Sequence, residues 1–97
     1  MTLDEQVANK LGTEVKPYST KIQPAWEIVE KFEDFSLEKR TEEGGSVFWR
    51  FEILGDDGAG DDSAVLQEAV ADTAPMAICR AFLKLDNIEN VNYNPKL

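Results

Sequence analysis

The sequence predicts an α+β domain, with about three helices bracketing a small, mainly antiparallel sheet of about three strands. Three observations carry that expectation. Apolar residues recur at helical spacing up to Phe32 and again from Ala74 onward. Between them, Phe35 to Leu54 alternates apolar and polar residues on either side of Gly44-Gly45. The chain has 97 residues, 42% hydrophobic and 30% charged, which suits one globular core and is too short for two. Residues 1–97 therefore read as a single domain, with its core at about 18–86 and an irregular, Asn-rich tail at 87–97.

Each element has its own local reasons. Thr2-Leu3-Asp4-Glu5 is a capping box, Leu3, Val7 and Leu11 follow near helical spacing, and Gly12 stands where a left-handed C-terminal cap belongs. This predicts a helix over 3–11 lying on the domain surface. A second helix is expected at about 21–32. Thr20 and Gln23 repeat the capping-box spacing, Pro24 is tolerated in the first turn, and Ile22, Ala25, Trp26, Val29 and Phe32 form one face. Strands are expected at 35–40 and 46–54, joined by a Glu42-Glu43-Gly44-Gly45 turn. On the second of these, Val47, Trp49, Phe51 and Ile53 point inward, while Phe48, Arg50 and Glu52 share the opposite face. Val65–Val70 reads as a returning strand, although Gln67, Glu68 and Ala69 are also good helix formers. Asp72-Thr73 caps a last helix with Pro75 in its first turn and a buried stripe of Ala74, Ile78, Ala81, Phe82 and Leu85.

Charge narrows the function classes. Ten basic residues against nineteen acidic give −9. The excess is local, since Thr41–Cys79 holds nine acids against Arg50 as its one base. Such a field repels nucleic acid and anionic lipid and attracts basic surfaces, so direct nucleic-acid binding and membrane binding are both disfavoured. It also serves plain solubility. No apolar run approaches the ~20 residues of a membrane span, and the start of the sequence does not read as a secretory signal. A single cysteine, Cys79, fits a reducing cytoplasm.

Chemistry has few candidates. The sequence lacks histidine, which removes His-based catalysis and the usual zinc sites. Cys79 without a histidine partner reads as a structural thiol, and neither glycine cluster has the context of a phosphate loop. The expectation is a non-enzyme without a cofactor. Asp56, Asp57, Asp61 and Asp62 could surround a hard cation, but the spacing and the bidentate Glu of an EF-hand are missing, so a solvated loop is expected and no metal. Trp26 and Trp49 are expected in the core. Phe48, on the outward face, is covered either by a second helical layer or by a partner.

Two blocks of sequence resemble a known family. Tyr18-Ser19-Thr20 running into Ala25-Trp26-Glu27-Ile28-Val29-Glu30-Lys31, and later Ala71-Asp72-Thr73-Ala74-Pro75-Met76-Ala77-Ile78-Cys79-Arg80-Ala81, look like the phage ABA sandwich domain family of small phage and prophage proteins. Lys21 stands where that family often has Asp, and Pro24 where it has Ala. The resemblance implies a three-layer α/β/α sandwich and a phage origin, and it implies no activity. With the charge, it leads to a phage accessory protein in the host cytoplasm that binds and inhibits a host protein with a basic surface. Glu42, Glu43, Asp56, Asp57, Asp61 and Asp62 are its expected contacts. Two alternatives stand beside it. One is a nucleotide-signal binder anchored by Lys39, Arg40, Arg50 and Arg80, and the other a self-assembling protein, such as a homodimer pairing through the hairpin edge.

Overall fold

Local capping fixes the first helix. The N–H of Glu5 donates to Thr2 Oγ1 at 3.2 Å, and the Thr2 N–H donates to Glu5 Oε1 at 3.0 Å. These bonds satisfy two amides that a helix start leaves bare. In the computed structural model, which describes residues 1–55 and 64–85, helix α1 spans Leu3–Leu11 and stops at Gly12 in the left-handed region, φ 74°. Val7 and Ala8 are buried, so this helix is seated more deeply than its sparse apolar stripe predicts.

Helix α2 spans Ile22–Val29 and is shorter than expected. Its N-cap is Lys21, which makes no side-chain capping bond. Thr20 cannot serve, because the N–H groups of Thr20 and Lys21 both donate to Pro17 O, at 3.3 and 3.0 Å, and hold Thr20 in the preceding turn. The last turn tightens, with Lys31 N–H on Ile28 O and Phe32 N–H on Val29 O, so Phe32 still reaches the core. The buried stripe is Ala25, Ile28, Val29 and Phe32. Trp26 was expected inside; it is 39% exposed, and Ile22 is 48% exposed. The helix has turned that flank toward the sheet edge, where the Trp26 ring meets Phe35 edge-on at 5.9 Å.

Strands β1 (Phe35–Thr41), β2 (Val47–Gly55) and β3 (Ala64–Ala71) form one antiparallel sheet in the order β1-β2-β3. The third run is a strand, not a helix. Its pairing with β2 shifts register between Ile53 and Leu54, which brings Val65 opposite Leu54. Helix α3 (Ala74–Lys84) follows, capped by Thr73 Oγ1, which accepts from Met76 N–H at 3.4 Å, with Pro75 in the first turn. The expected α+β sandwich of three helices and a three-stranded antiparallel sheet is met.

Helix α3 lies on β2 and β3, and both α1 and α2 pack on α3. One core cluster joins Phe51, Ile53, Ala69 and Ala71 of the sheet to Ile78, Ala81 and Phe82 of α3, Val7 of α1 and Ile28 of α2. The inward face of β2 is not evenly covered. Phe51 and Ile53 are fully buried, Trp49 is half-buried, and Val47, expected inside, is 39% exposed. Lys10 secures α1, since its ammonium donates to the carbonyls of Phe82 and Leu85 at the end of α3 and sits 4.9 Å from the Phe82 ring. A cation there satisfies carbonyls that a helix end leaves open and complements its negative pole.

Candidate functional site

The outward face of β2 carries the chemistry that the core does not use. The turn between β1 and β2 is built on Gly44 and Gly45, both at φ 88°, a conformation that favours glycine. Gly45 N–H donates to Glu42 O at 3.1 Å and Glu42 N–H to Ser46 O at 2.7 Å, leaving both carboxylates, Glu42 and Glu43, exposed at the tip. From this turn β2 sends Phe48 and Arg50 outward. Across the ladders Phe48 faces Arg40, and Arg50 faces Glu38 on one side and Val70 on the other.

These residues enclose a shallow, open concavity of about 410 Å³. Among the described residues Val47, Phe48, Arg50 and Val70 line it, with Glu42 and Asp72 at its margin. Val47 and Val70 are exposed and Phe48 is half-buried, an apolar floor open to water. Arg50 Nε is buried without a hydrogen-bond partner among the described residues. The carboxylate placed to meet Arg50 is engaged elsewhere, because Glu38 Oε2 pairs with Arg40 Nη2 at 3.0 Å. A buried guanidinium N–H left unpaired costs about 1–3 kcal/mol until an acceptor reaches it.

A second concavity, about 430 Å³, opens beside the first on the helix-bearing side. Ile22, Trp26, Leu37, Trp49 and Pro75 line it, and Asp72 borders both. Its surface is mostly apolar side chain, continuous with the exposed flank of α2.

Of the six expected contact residues, Glu42 and Glu43 come together at the turn, and Asp72 joins Glu42 at the concavity. Asp56, Asp57, Asp61 and Asp62 lie outside the described residues. The residues flanking them, Gly55 and Ala64, pair at the far end of the sheet, roughly 26 Å from Val47 at ~3.3 Å per residue. The four cationic anchors of the nucleotide reading do not converge. Lys39 lies 5.9 Å from the Trp49 ring, Arg40 holds Glu38, and Arg80 donates to Val70 O at 3.1 Å, leaving Arg50 alone at the concavity. Sequence reasoning missed the exposure of Val47 and Val70. The alternation that turned Arg50 outward also applies to Val70, but pairing the two needs the register of β3.

Cys79 is buried in α3, and its burial pushes the thiol from the usual 9.0 up to about 12, with Asp4 adding a smaller contribution in the same direction. A thiol held protonated in this way is a poor nucleophile. Among the described residues no three His, Cys, Asp or Glu side chains group to hold a metal ion, and no helix is long and apolar enough to cross a membrane.

Compared with known proteins, residues 3–83 match the family model described as Phage ABA sandwich domain. No curated protein and no solved structure matches the chain.

Proposed function

Because this chain belongs to the phage ABA sandwich domain family, we propose that it is a phage accessory protein acting without catalysis in the host cytoplasm, where it binds and blocks a host protein through the outward face of β2. The observation that carries this reading is the carboxylate-edged apolar concavity. Val47, Phe48 and Val70 offer a floor for an apolar side chain, and Glu42 and Asp72 offer charge to basic neighbours. Interfaces are built this way, with an aromatic and an arginine near the centre and a polar rim that sets on-rate and specificity. Arg50 Nε supplies a donor that a partner carbonyl or carboxylate would satisfy. Glu42, Glu43 and Asp72 gather negative charge at this end of the sheet and would steer a basic surface toward it.

The unpaired Arg50 Nε also favours one other reading, a small anionic ligand such as a nucleotide signal. Against it stand the open shape of the concavity and the two carboxylates at its edge, which repel an anion.

The test is an affinity capture from a bacterial host lysate, read by mass spectrometry, with the natural chain beside the double variant Glu42→Lys/Asp72→Lys. One basic host protein, retained by the natural chain, lost by the variant and released as salt rises, is the expected result. Equal capture by both chains, or none, removes this reading. A thermal shift of the natural chain by nucleotides that Arg50→Ala abolishes would put the small-ligand reading in its place.

A further inference from the structure

The two edges of the sheet are not equivalent. Leu54 N–H donates to Asp34 O at 3.2 Å and Glu42 N–H donates to Ser46 O at 2.7 Å, so these bonds bracket the β1–β2 ladder at both ends. Both lie on the register that sets Glu38 opposite Arg50 and Arg40 opposite Phe48. Antiparallel ladders alternate, so even-numbered residues of β1 bond to β2, while Phe35, Leu37, Lys39 and Thr41 turn their N–H and C=O groups outward. The same alternation points the backbone of Arg50 and Glu52 toward β1. Their partners on β3, Val70 and Glu68, therefore face away from the sheet.

On β3 those outward carbonyls are occupied. Arg80 Nη1 donates to Val70 O at 3.1 Å and Lys84 Nζ donates to Glu68 O at 3.2 Å. Cations reaching around from α3 thus blunt that edge. On β1, the outward groups of Phe35, Leu37, Lys39 and Thr41 have no hydrogen-bond partner among the described residues. The apolar concavity of Ile22, Trp26 and Leu37 opens beside this bare edge.

We propose that β1 pairs antiparallel with β1 of a second copy of this chain, about a two-fold axis at Lys39, giving a continuous six-stranded sheet. Charge complementarity argues for a second copy as the occupant, and like-charge repulsion argues against a register centred on Glu38 or Arg40. A two-fold axis normal to the sheet places residues of like parity opposite one another. With the axis at Lys39, the Glu38–Arg40 pair that each chain makes at 3.0 Å meets the same pair of the other copy, each Glu38 facing the other copy's Arg40 in a four-membered charge network. These are non-hydrogen-bonded positions, where facing side chains approach most closely. An axis at Glu38 would instead oppose two carboxylates. The axis also sets Lys39 opposite Lys39 of the second copy, where each ammonium lies 5.9 Å from the Trp49 ring of its own chain and can swing away from the other along its flexible stem. The two apolar concavities then lie on one face of the joined sheet, on either side of the seam.

The test is sedimentation equilibrium of the full chain over a concentration series, with circular dichroism to confirm folding. A monomer–dimer equilibrium is expected. Lys39→Pro removes an outward N–H without touching the ladder to β2, and it should leave a folded monomer. Arg40→Glu alone and Glu38→Arg alone should each weaken self-association at least ~tenfold by opposing like charges at two places. Mixing those two variants restores opposite charges at both places and should return the dimer as a heterodimer, an outcome that remains decisive if Lys39→Pro fails to fold. A natural chain that stays monomeric throughout, or a dimer indifferent to both charge reversals, overturns the proposal. Neither result bears on the outward face of β2, so this inference and the host-protein reading fail separately.

Discussion

The two faces of β2 alternate along a single strand and live in different surroundings. Phe51 and Ile53 look toward α3 and are fully buried; Phe48, Arg50, Glu52 and Leu54 look the other way and are half-buried. The inward face makes the fold, because removing area there leaves a cavity that close-packed neighbours cannot fill. The outward face is free of that duty, and it holds an arginine N–H that no described group satisfies. A polar group left unpaired costs stability until a water, an ion or a partner's acceptor reaches it.

Substitutions can break this contrast. Phe51→Ala should cost about 3–5 kcal/mol in chemical denaturation, a large fraction of the stability of a small domain. An equally small loss there would mean the inward face is not the core. Next in size is an alkaline effect on the covered side. The native thiol of Cys79 titrates near 12 against a usual 9.0, so the unfolded chain releases its proton first as pH rises. The contribution is whole below about 9 and disappears as pH climbs through about 12. Cys79→Ala should flatten that part of the stability–pH curve, and the native thiol should resist alkylation at pH 8 until the protein unfolds. The smallest effect should be Phe48→Ala on the outward face, under about 1 kcal/mol by thermal melting, because that ring is only half covered. A loss as large as that of Phe51→Ala would erase the distinction between the faces.

What could be read from the residues follows from the range of the forces involved. The ends of α1 and α3 were legible because Thr2, Glu5 and Thr73 act within three residues of themselves. The hairpin was legible because Gly44 and Gly45 mark its turn. Thr20 misled, since a threonine before a helix looks like a cap whether or not Pro17 O already holds the chain. Trp26 and Val47 misled in another way. Period and alternation identify a face, but how far the covering layer extends along that face is decided by where α2 and α3 end. The concavity has the same origin. Arg50 was visible as an outward residue, but its meeting with Val70 and Asp72 depends on β3, and the capture of Glu38 by Arg40 depends on rotamers.

The Lys10 ammonium, seated on the carbonyls of Phe82 and Leu85, has a consequence in time. The partners it requires lie 72 and 75 residues downstream. During synthesis the first helix must wait, with Val7 and Leu11 exposed, until the chain has been made as far as residue 85. A contact spanning that distance closes a long loop and is entropically late, so α1 is expected to be the last helix to dock. Of the three described helices, the one made first is thus the last to be seated.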